Sequence, residues 1–317
     1  MDIIKSLPPE FSRYPREQIS VKADLPDGFR ERREQFLAEL PQDTEGLDMF
    51  SFSQFFHEIG LEVTPIGIYD RDNTNVPAVL DKYKPILSFD FFPDDESGGC
   101  VVPAIQLALV ARDKSLEHLN GVAYTETAVA HELAHSSAFT GELFRQFLID
   151  RKNGTIGGYV NRVGFKVKGE NIRNCFWEEG FASMIAKKYI EKRYGENPER
   201  WLAPRGLSEH FSSFDCVEME FTDGTNGLLS PLYMGRVDEN DFRITSNEFA
   251  GQALELLCQK YPLLLETLLR ARKTVDGLRT ALNMLSEITG DNFDYLSNLK
   301  TDDLKSGYNR VIEIIKN

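Results

Sequence analysis

One short segment of the chain, residues 124–141, limits what the protein can fold into more strongly than any other. Its centre holds two histidines four residues apart, His131 and His135, with Glu132 between them. Residues four apart lie on the same face of an α-helix, one turn along its axis. Two imidazoles placed in this way can bind one metal ion, with the glutamate beside it. The spacing therefore predicts a helix over 124–141 that carries part of a metal site.

The residues around this pattern indicate a buried helix. They are small or apolar, and charges are missing where a solvated face would have them. These residues are Ala128, Val129, Ala130, Leu133 and Ala134. Two histidines and a glutamate would be costly there without a metal. The alternative is a solvated helix with an accidental pattern. A chance occurrence of the pattern somewhere in a chain of this composition has odds on the order of one in a hundred. Thr125 or Thr127 is predicted to cap the helix start.

A catalytic zinc site needs a third protein ligand and an open position. The run Trp-Glu-Glu-Gly-Phe-Ala at 177–182 offers one. Together with the His-Glu-x-x-His pattern, it resembles the gluzincin metallopeptidases, which include thermolysin-like and aminopeptidase-N-like enzymes. In those families a glutamate on a second helix is the third ligand. The resemblance therefore implies Glu179 as that ligand, with Glu178 as the alternative.

The chain also departs from those families. The gap between His135 and Glu179 is 43 residues, longer than is usual for them, and an inserted hairpin at 153–168 would account for the excess. Thermolysin-like enzymes carry an aspartate four residues after the third ligand, where this chain has Ser183. The aminopeptidase motif G-x-M-E-N does not occur, which favours an endopeptidase over an aminopeptidase.

The resemblance implies a zinc-dependent hydrolysis of peptide bonds. The expected ligands of the single zinc ion are His131, His135 and Glu179. Zinc would bind a water molecule and lower its pKa towards about 7, and Glu132 would take the proton as general base. A further donor would stabilise the oxyanion. Tyr233 is predicted for that role, with the alternatives His210 and Arg236.

Two other classes of function stay open. One is a zinc-binding protein without turnover that binds a partner, although a structural site has no need of Glu132 as a base. The other is an antirestriction-type zincin domain, in which His-Glu-Leu-Ala-His-Ser also occurs and nucleic acid is the partner. The net charge of −14 argues against that class. The expected partner is therefore a peptide or protein substrate, not nucleic acid.

Composition and the chain start favour a cytoplasmic protein. The first ten residues lack the features of a signal peptide, and no run of about 18 apolar residues predicts a membrane span. Four cysteines lie far apart without a C-x-x-C pair, which favours reduced thiols. They are Cys100, Cys175, Cys216 and Cys258.

The predicted fold class is α+β, with a zincin-like catalytic core of a small mixed sheet and active-site helices, and a mainly helical C-terminal part. The predicted domains are 1–60, 61–195 and 196–317. Further helices are predicted at 28–40, 48–60, 142–152, 174–194, 247–259, 262–273, 275–288 and 302–316. Strands are predicted at 62–69, 84–92 and 100–111. The last of these is either an edge strand beside the metal that binds an extended peptide, as Pro103 favours, or plain core sheet.

Overall fold

The computed structural model describes residues 28–87, 99–102, 105–114, 117, 122–140, 175–194, 217–220, 226–229, 246–271, 277–299 and 304–316. These residues form a mixed α and β fold that is mostly helical and contains a small three-stranded sheet. The predicted α+β class is confirmed at this level. The three domain boundaries stay predictions.

The three-stranded sheet has its most buried strand in the centre. Its strands are β1 (Ile66–Asp70), β2 (Gly99–Val102) and β3 (Leu107–Arg112), in the order β1-β3-β2. β1 runs parallel to β3, and β2 runs antiparallel to it, with Cys100 opposite Leu109. Every residue of β3 is buried, as expected for an almost continuous apolar run covered on both faces. β2 is consequently a strand at one end of this sheet.

Nine helices of more than one turn lie within the described part of the chain. They are α1 (Phe29–Glu39), α2 (Met49–Glu58), α3 (Val76–Leu87), α4 (Ala123–Ser136), α5 (Cys175–Tyr194), α6 (Ser246–Lys260), α7 (Pro262–Ala271), α8 (Gly277–Thr289) and α9 (Leu304–Lys316). Short 3₁₀ helices cover Ser137–Thr140 and Leu296–Asn298. The predicted helices that fall on described residues are confirmed to within a few residues at each end.

The core forms where α4 and α5 pack together between the sheet and the C-terminal helices. α4 packs against β2 and β3 on one side and α5 on the other, and α6 then packs on α5. Aromatic side chains fill these contacts: the Phe52 ring of α2 stacks on Tyr189 of α5 with ring centroids 4.4 Å apart. The indole of Trp177 is buried and donates to the Ser297 hydroxyl at 3.2 Å. The two central helices are therefore held from several directions.

A buried arginine joins the end of β3 to two neighbouring segments. Arg112 is 3% exposed. Its guanidinium donates to both carboxylate oxygens of Glu117, at 2.7 and 2.8 Å, and to Asp43 at 2.9 Å. The Thr125 hydroxyl of α4 donates to the same Glu117 at 2.7 Å. This network links the sheet to the first turn of α4.

Two strand predictions are wrong. Residues 84–87 of the predicted strand 84–92 belong to α3, and the rest of that segment lies outside the described residues. Helical spacing of Val76, Val79, Leu80 and Tyr83 outweighs the local strand preference, and Tyr83 packs edge-on against Phe36. The predicted single strand 100–111 is two antiparallel strands, β2 and β3. An apolar run does not itself show where the chain turns back.

Several predicted segments cannot be compared with the fold. The predicted helix 142–152 and hairpin 153–168 lie outside the described residues, as does Pro103. Most of 195–245 lies outside them too. Within that stretch the structure describes a pair of antiparallel strands, β4 (Val217–Glu220) and β5 (Asn226–Leu229), that was not predicted. None of the described helices combines the length and apolar character needed to cross a membrane.

Candidate metal centre

The helix that carries the histidine pattern is buried, as predicted, but it does not begin as predicted. α4 follows Val122, which provides no side-chain cap. Thr125 and Thr127 lie inside the first turns, where Thr127 donates to the carbonyl of Ala123 at 2.8 Å. The capping prediction is therefore wrong, because each threonine hydroxyl bonds elsewhere.

The three predicted metal ligands converge on one point. His131 and His135 of α4 bring their Nε2 atoms within 3.0 Å of each other. The Oε2 atom of Glu179, on α5, lies 3.3 Å from His131 Nε2 and 3.5 Å from His135 Nε2. The three side chains form a group that could hold one metal ion. Two helices that are distant in sequence thus supply one cluster of donor atoms.

The spacing of these donor atoms fits a small divalent cation. Atoms bound tetrahedrally at about 2.0–2.1 Å from zinc lie about 3.3 Å from one another. The three distances of 3.0, 3.3 and 3.5 Å scatter around that value. Two imidazole nitrogens and one carboxylate oxygen are also ligands that zinc accepts. The residues present therefore fit the metal that the sequence predicts.

Glu132 lies between the donor cluster and the sheet. It is 9% exposed, and its side chain faces the first residue of β2. A Cβ atom built at Gly99 would be 2.6 Å from the Cγ atom of Glu132 and 3.0 Å from its Cδ atom. Only glycine leaves room for this contact. The end strand of the sheet therefore runs directly beside the predicted base.

The other nitrogen of each histidine has its own neighbour on α5. The Ser183 hydroxyl is 3.5 Å from His131 Nδ1. The Oε2 atom of Glu178 is 3.8 Å from His135 Nδ1. Such neighbours fix the ring orientation and tautomer of a metal-binding histidine. Ser183 thus lies where the thermolysin-like aspartate is expected, and Glu178, the alternative third ligand, lies on the far side of His135 from the donor cluster.

Close packing of α6 supports α5 behind the cluster. A Cβ atom at Gly180 would be 2.8 Å from the carbonyl oxygen of Ala250. A Cβ atom at Gly251 would be 2.8 Å from the Cβ atom of Ser183. The two backbones can approach this closely only because both positions are glycine. The glycine that follows Glu179 in the sequence is explained by this helix contact.

The electrostatics of the cluster favour a positive charge at its centre. Burial alone would lower the pKa of His135, but the carboxylates of Glu179 and Glu178 outweigh it and raise the pKa to about 10. Burial would raise the pKa of Glu179, but His135 and His131 hold it well below its usual range. Burial raises the pKa of Glu132 above its ordinary value, against the opposing effect of the two histidines. A bound cation would take the place of the proton on His135.

Three other residues predicted for the site cannot be compared with it. Tyr233, His210 and Arg236 lie outside the described residues, so the role predicted for Tyr233 stays a prediction. The sequence analysis missed Gly99 and Gly251, because their contacts join distant parts of the chain. A glycine at the start of an apolar strand was the one available signal for the first.

Comparison with known proteins yields no relative: no protein-family model, no curated protein and no solved structure matches this chain. The functional argument therefore rests on the site itself.

Proposed function

We propose that this chain is a zinc-dependent metallopeptidase with a zincin-like catalytic core. One observation supports this most directly: His131, His135 and Glu179 converge with donor atoms 3.0–3.5 Å apart, while Glu132 stays outside the ligand group but next to it. A structural zinc site is normally closed by a fourth ligand and does not need a neighbouring base. Among the described residues, this ligand group has three members.

The roles of the side chains follow from their chemistry. Zinc held by the three ligands would supply Lewis acidity and lower the pKa of a water molecule to about 7. Glu132 accepts the proton of the attacking water and donates it to the leaving amine. Its raised pKa suits both steps, because a carboxylate that is too acidic would hold the proton too weakly to carry it. Tyr233 is the predicted donor to the oxyanion.

The sheet offers a place for the substrate. β2 lies at one end of the three-stranded sheet, with Gly99 against Glu132. An extended peptide can pair with such a strand through main-chain hydrogen bonds, which hold its carbonyl groups at fixed positions. The absence of the G-x-M-E-N motif favours cleavage within a chain over removal of its first residue. An unstructured protein is therefore the substrate class to test.

The test combines metal analysis with a cleavage assay. Zinc, iron and manganese are measured in the purified wild type, Glu132→Gln and Glu179→Ala, and each protein is incubated with casein. We expect one zinc ion per wild-type chain, loss of that zinc in Glu179→Ala, and retained zinc without cleavage in Glu132→Gln.

Three results would count against the proposal in different ways. Zinc retained at wild-type affinity in Glu179→Ala would remove Glu179 as a ligand. Iron in place of zinc would point to a different chemistry for the same three ligands. Bound zinc with no cleavage, and no change of any property in Glu132→Gln, would leave a zinc-binding protein without peptidase activity.

A further inference from the structure

Two consecutive glutamates of α5 reach opposite sides of one imidazole ring. Glu179 approaches His135 at Nε2, where its Oε2 atom is 3.5 Å away. Glu178 approaches the same ring at Nδ1, with its Oε2 atom 3.8 Å away. The Glu178 side chain is only 9% exposed. Burying a carboxylate is unfavourable unless a charged or hydrogen-bonding partner compensates it, and here His135 lies within ion-pair distance.

The second histidine has a weaker partner. His131 meets the neutral hydroxyl of Ser183 at 3.5 Å, whereas His135 meets a carboxylate. A carboxylate beside Nδ1, here in ion-pair range at 3.8 Å, favours the tautomer in which Nδ1 is protonated and Nε2 carries the free lone pair, and it makes Nε2 more basic. The two imidazoles of the site therefore have unequal neighbours, and we expect His135 to be the stronger donor.

We propose that Glu178 is a positioning residue of the metal centre: its negative charge holds His135 in the tautomer that presents Nε2 to the metal and strengthens that bond. This inference rests on the proposed metal site but not on peptide hydrolysis. It also assigns different roles to two neighbouring residues of the same type, since Glu179 binds the metal and Glu178 acts through His135. The proposed effect belongs to the charge of Glu178 and not to its shape, since a neutral glutamine would fill the same space.

The first experiment replaces Glu178 with glutamine, which keeps the shape and removes the charge. Zinc affinity of the metal-free full-length protein is measured by competition with a chelator of known affinity. Loss of a carboxylate behind a metal-binding histidine weakens metal binding by about 10–100-fold, and we expect a loss in that range. The matched control is Glu191→Gln, which makes the same change on the same helix about 20 Å farther along. It should bind zinc as the wild type does.

The second experiment begins with the wild type, and that part does not depend on how Glu178→Gln folds. Nitrogen-15 NMR of the zinc-loaded wild type should show His135 with a protonated Nδ1 and a metal-bound Nε2, and a strongly deshielded Nδ1 proton. The chain has five histidines, which keeps the assignment practical. In Glu178→Gln this proton should move upfield, whereas a merely structural role for Glu178 would leave its shift unchanged.

The possible outcomes separate this inference from the proposed function. If wild type binds zinc and Glu178→Gln binds it within twofold of wild type, the role of Glu178 is overturned and the peptidase proposal stands. An unprotonated Nδ1 of His135 in the zinc-loaded protein would also overturn it. If the wild type binds no zinc, both this inference and the proposed metallopeptidase are wrong. If zinc binding is weakened as expected but casein is not cleaved, the inference holds and only the peptidase activity fails.

Discussion

Replacing Gly99 with alanine should separate proton transfer from metal binding. The added Cβ atom would be 2.6 Å from the Cγ atom of Glu132 and 2.9 Å from the carbonyl oxygen of Leu109. Carbon atoms pack at about 3.5–4.0 Å, so the side chain of Glu132 must withdraw by about 1 Å. A shift of that size in a reacting group lowers the rate by on the order of 100-fold. Glu132 is not a member of the ligand group, so we expect zinc to be kept.

The assay measures zinc content and kcat/KM on an unstructured protein in the same preparations. Gly67→Ala is the matched control, because its Cβ atom would also be crowded, at 2.9 Å from the side chains of Leu109 and Leu40, but it does not contact Glu132. Both variants should lose about 1–3 kcal/mol of unfolding free energy through overpacking. Only Gly99→Ala should lose about 100-fold in kcat/KM while keeping its zinc. Wild-type activity in Gly99→Ala, or an equal loss in Gly67→Ala, would refute the reasoning.

Three further predictions follow from other contacts. Zinc binding at neutral pH should release about one proton, and zinc affinity should rise about tenfold per pH unit, because His135, with its pKa raised to about 10, must lose its proton to become a ligand. Calorimetry in buffers of different ionisation enthalpy measures the number of protons released, and a value of zero would contradict the prediction. Gly180→Ala should force α5 away from α6, which lowers the free energy of unfolding by about 1–3 kcal/mol and weakens zinc binding. Thermal unfolding and chelator competition measure the two effects, and an unchanged thermal midpoint would be evidence against the close contact of the two helices. Arg112→Met should lower the free energy of unfolding, measured in urea, by about 3–5 kcal/mol, since it leaves the carboxylates of Asp43 and Glu117 without their buried partner. A loss below about 1 kcal/mol would mean that these ion pairs stabilise the fold no more than exposed surface pairs do.

The donor cluster was predictable because its geometry is mostly local. Helical spacing fixes how His131 and His135 lie relative to each other, whatever surrounds them. The choice between Glu178 and Glu179 was less local, since neighbouring residues differ by about 100° around a helix axis. The rotation of α5 against α4 decides which glutamate faces the cluster, and a family resemblance supplied that information where spacing could not.

Features that depend on distant contacts were missed or wrongly predicted. The contact of Gly99 with Glu132 joins the sheet to a helix, and that of Gly251 with Ser183 joins α6 to α5. Neither leaves a periodic pattern in the sequence. The predicted strand 84–92 failed for a related reason: aromatic and apolar residues suit both a strand and a buried helix, and the packing of Tyr83 against Phe36 decides between them.

The packing of α4 on α5 bears on how strongly the metal centre depends on the number of residues between these helices. Between His135 and Glu179 lie 43 residues, yet their donor atoms are 3.5 Å apart. The packing of the helices sets that distance, supported by the glycine contacts between α5 and α6. The distance therefore does not depend on the number of residues that connect the two helices. Doubling a flexible connection costs only about 0.6 kcal/mol in closure entropy. We therefore expect a moderate change in the number of residues between the two helices to cost the metal centre little, as long as the contact of α5 with α6 is kept.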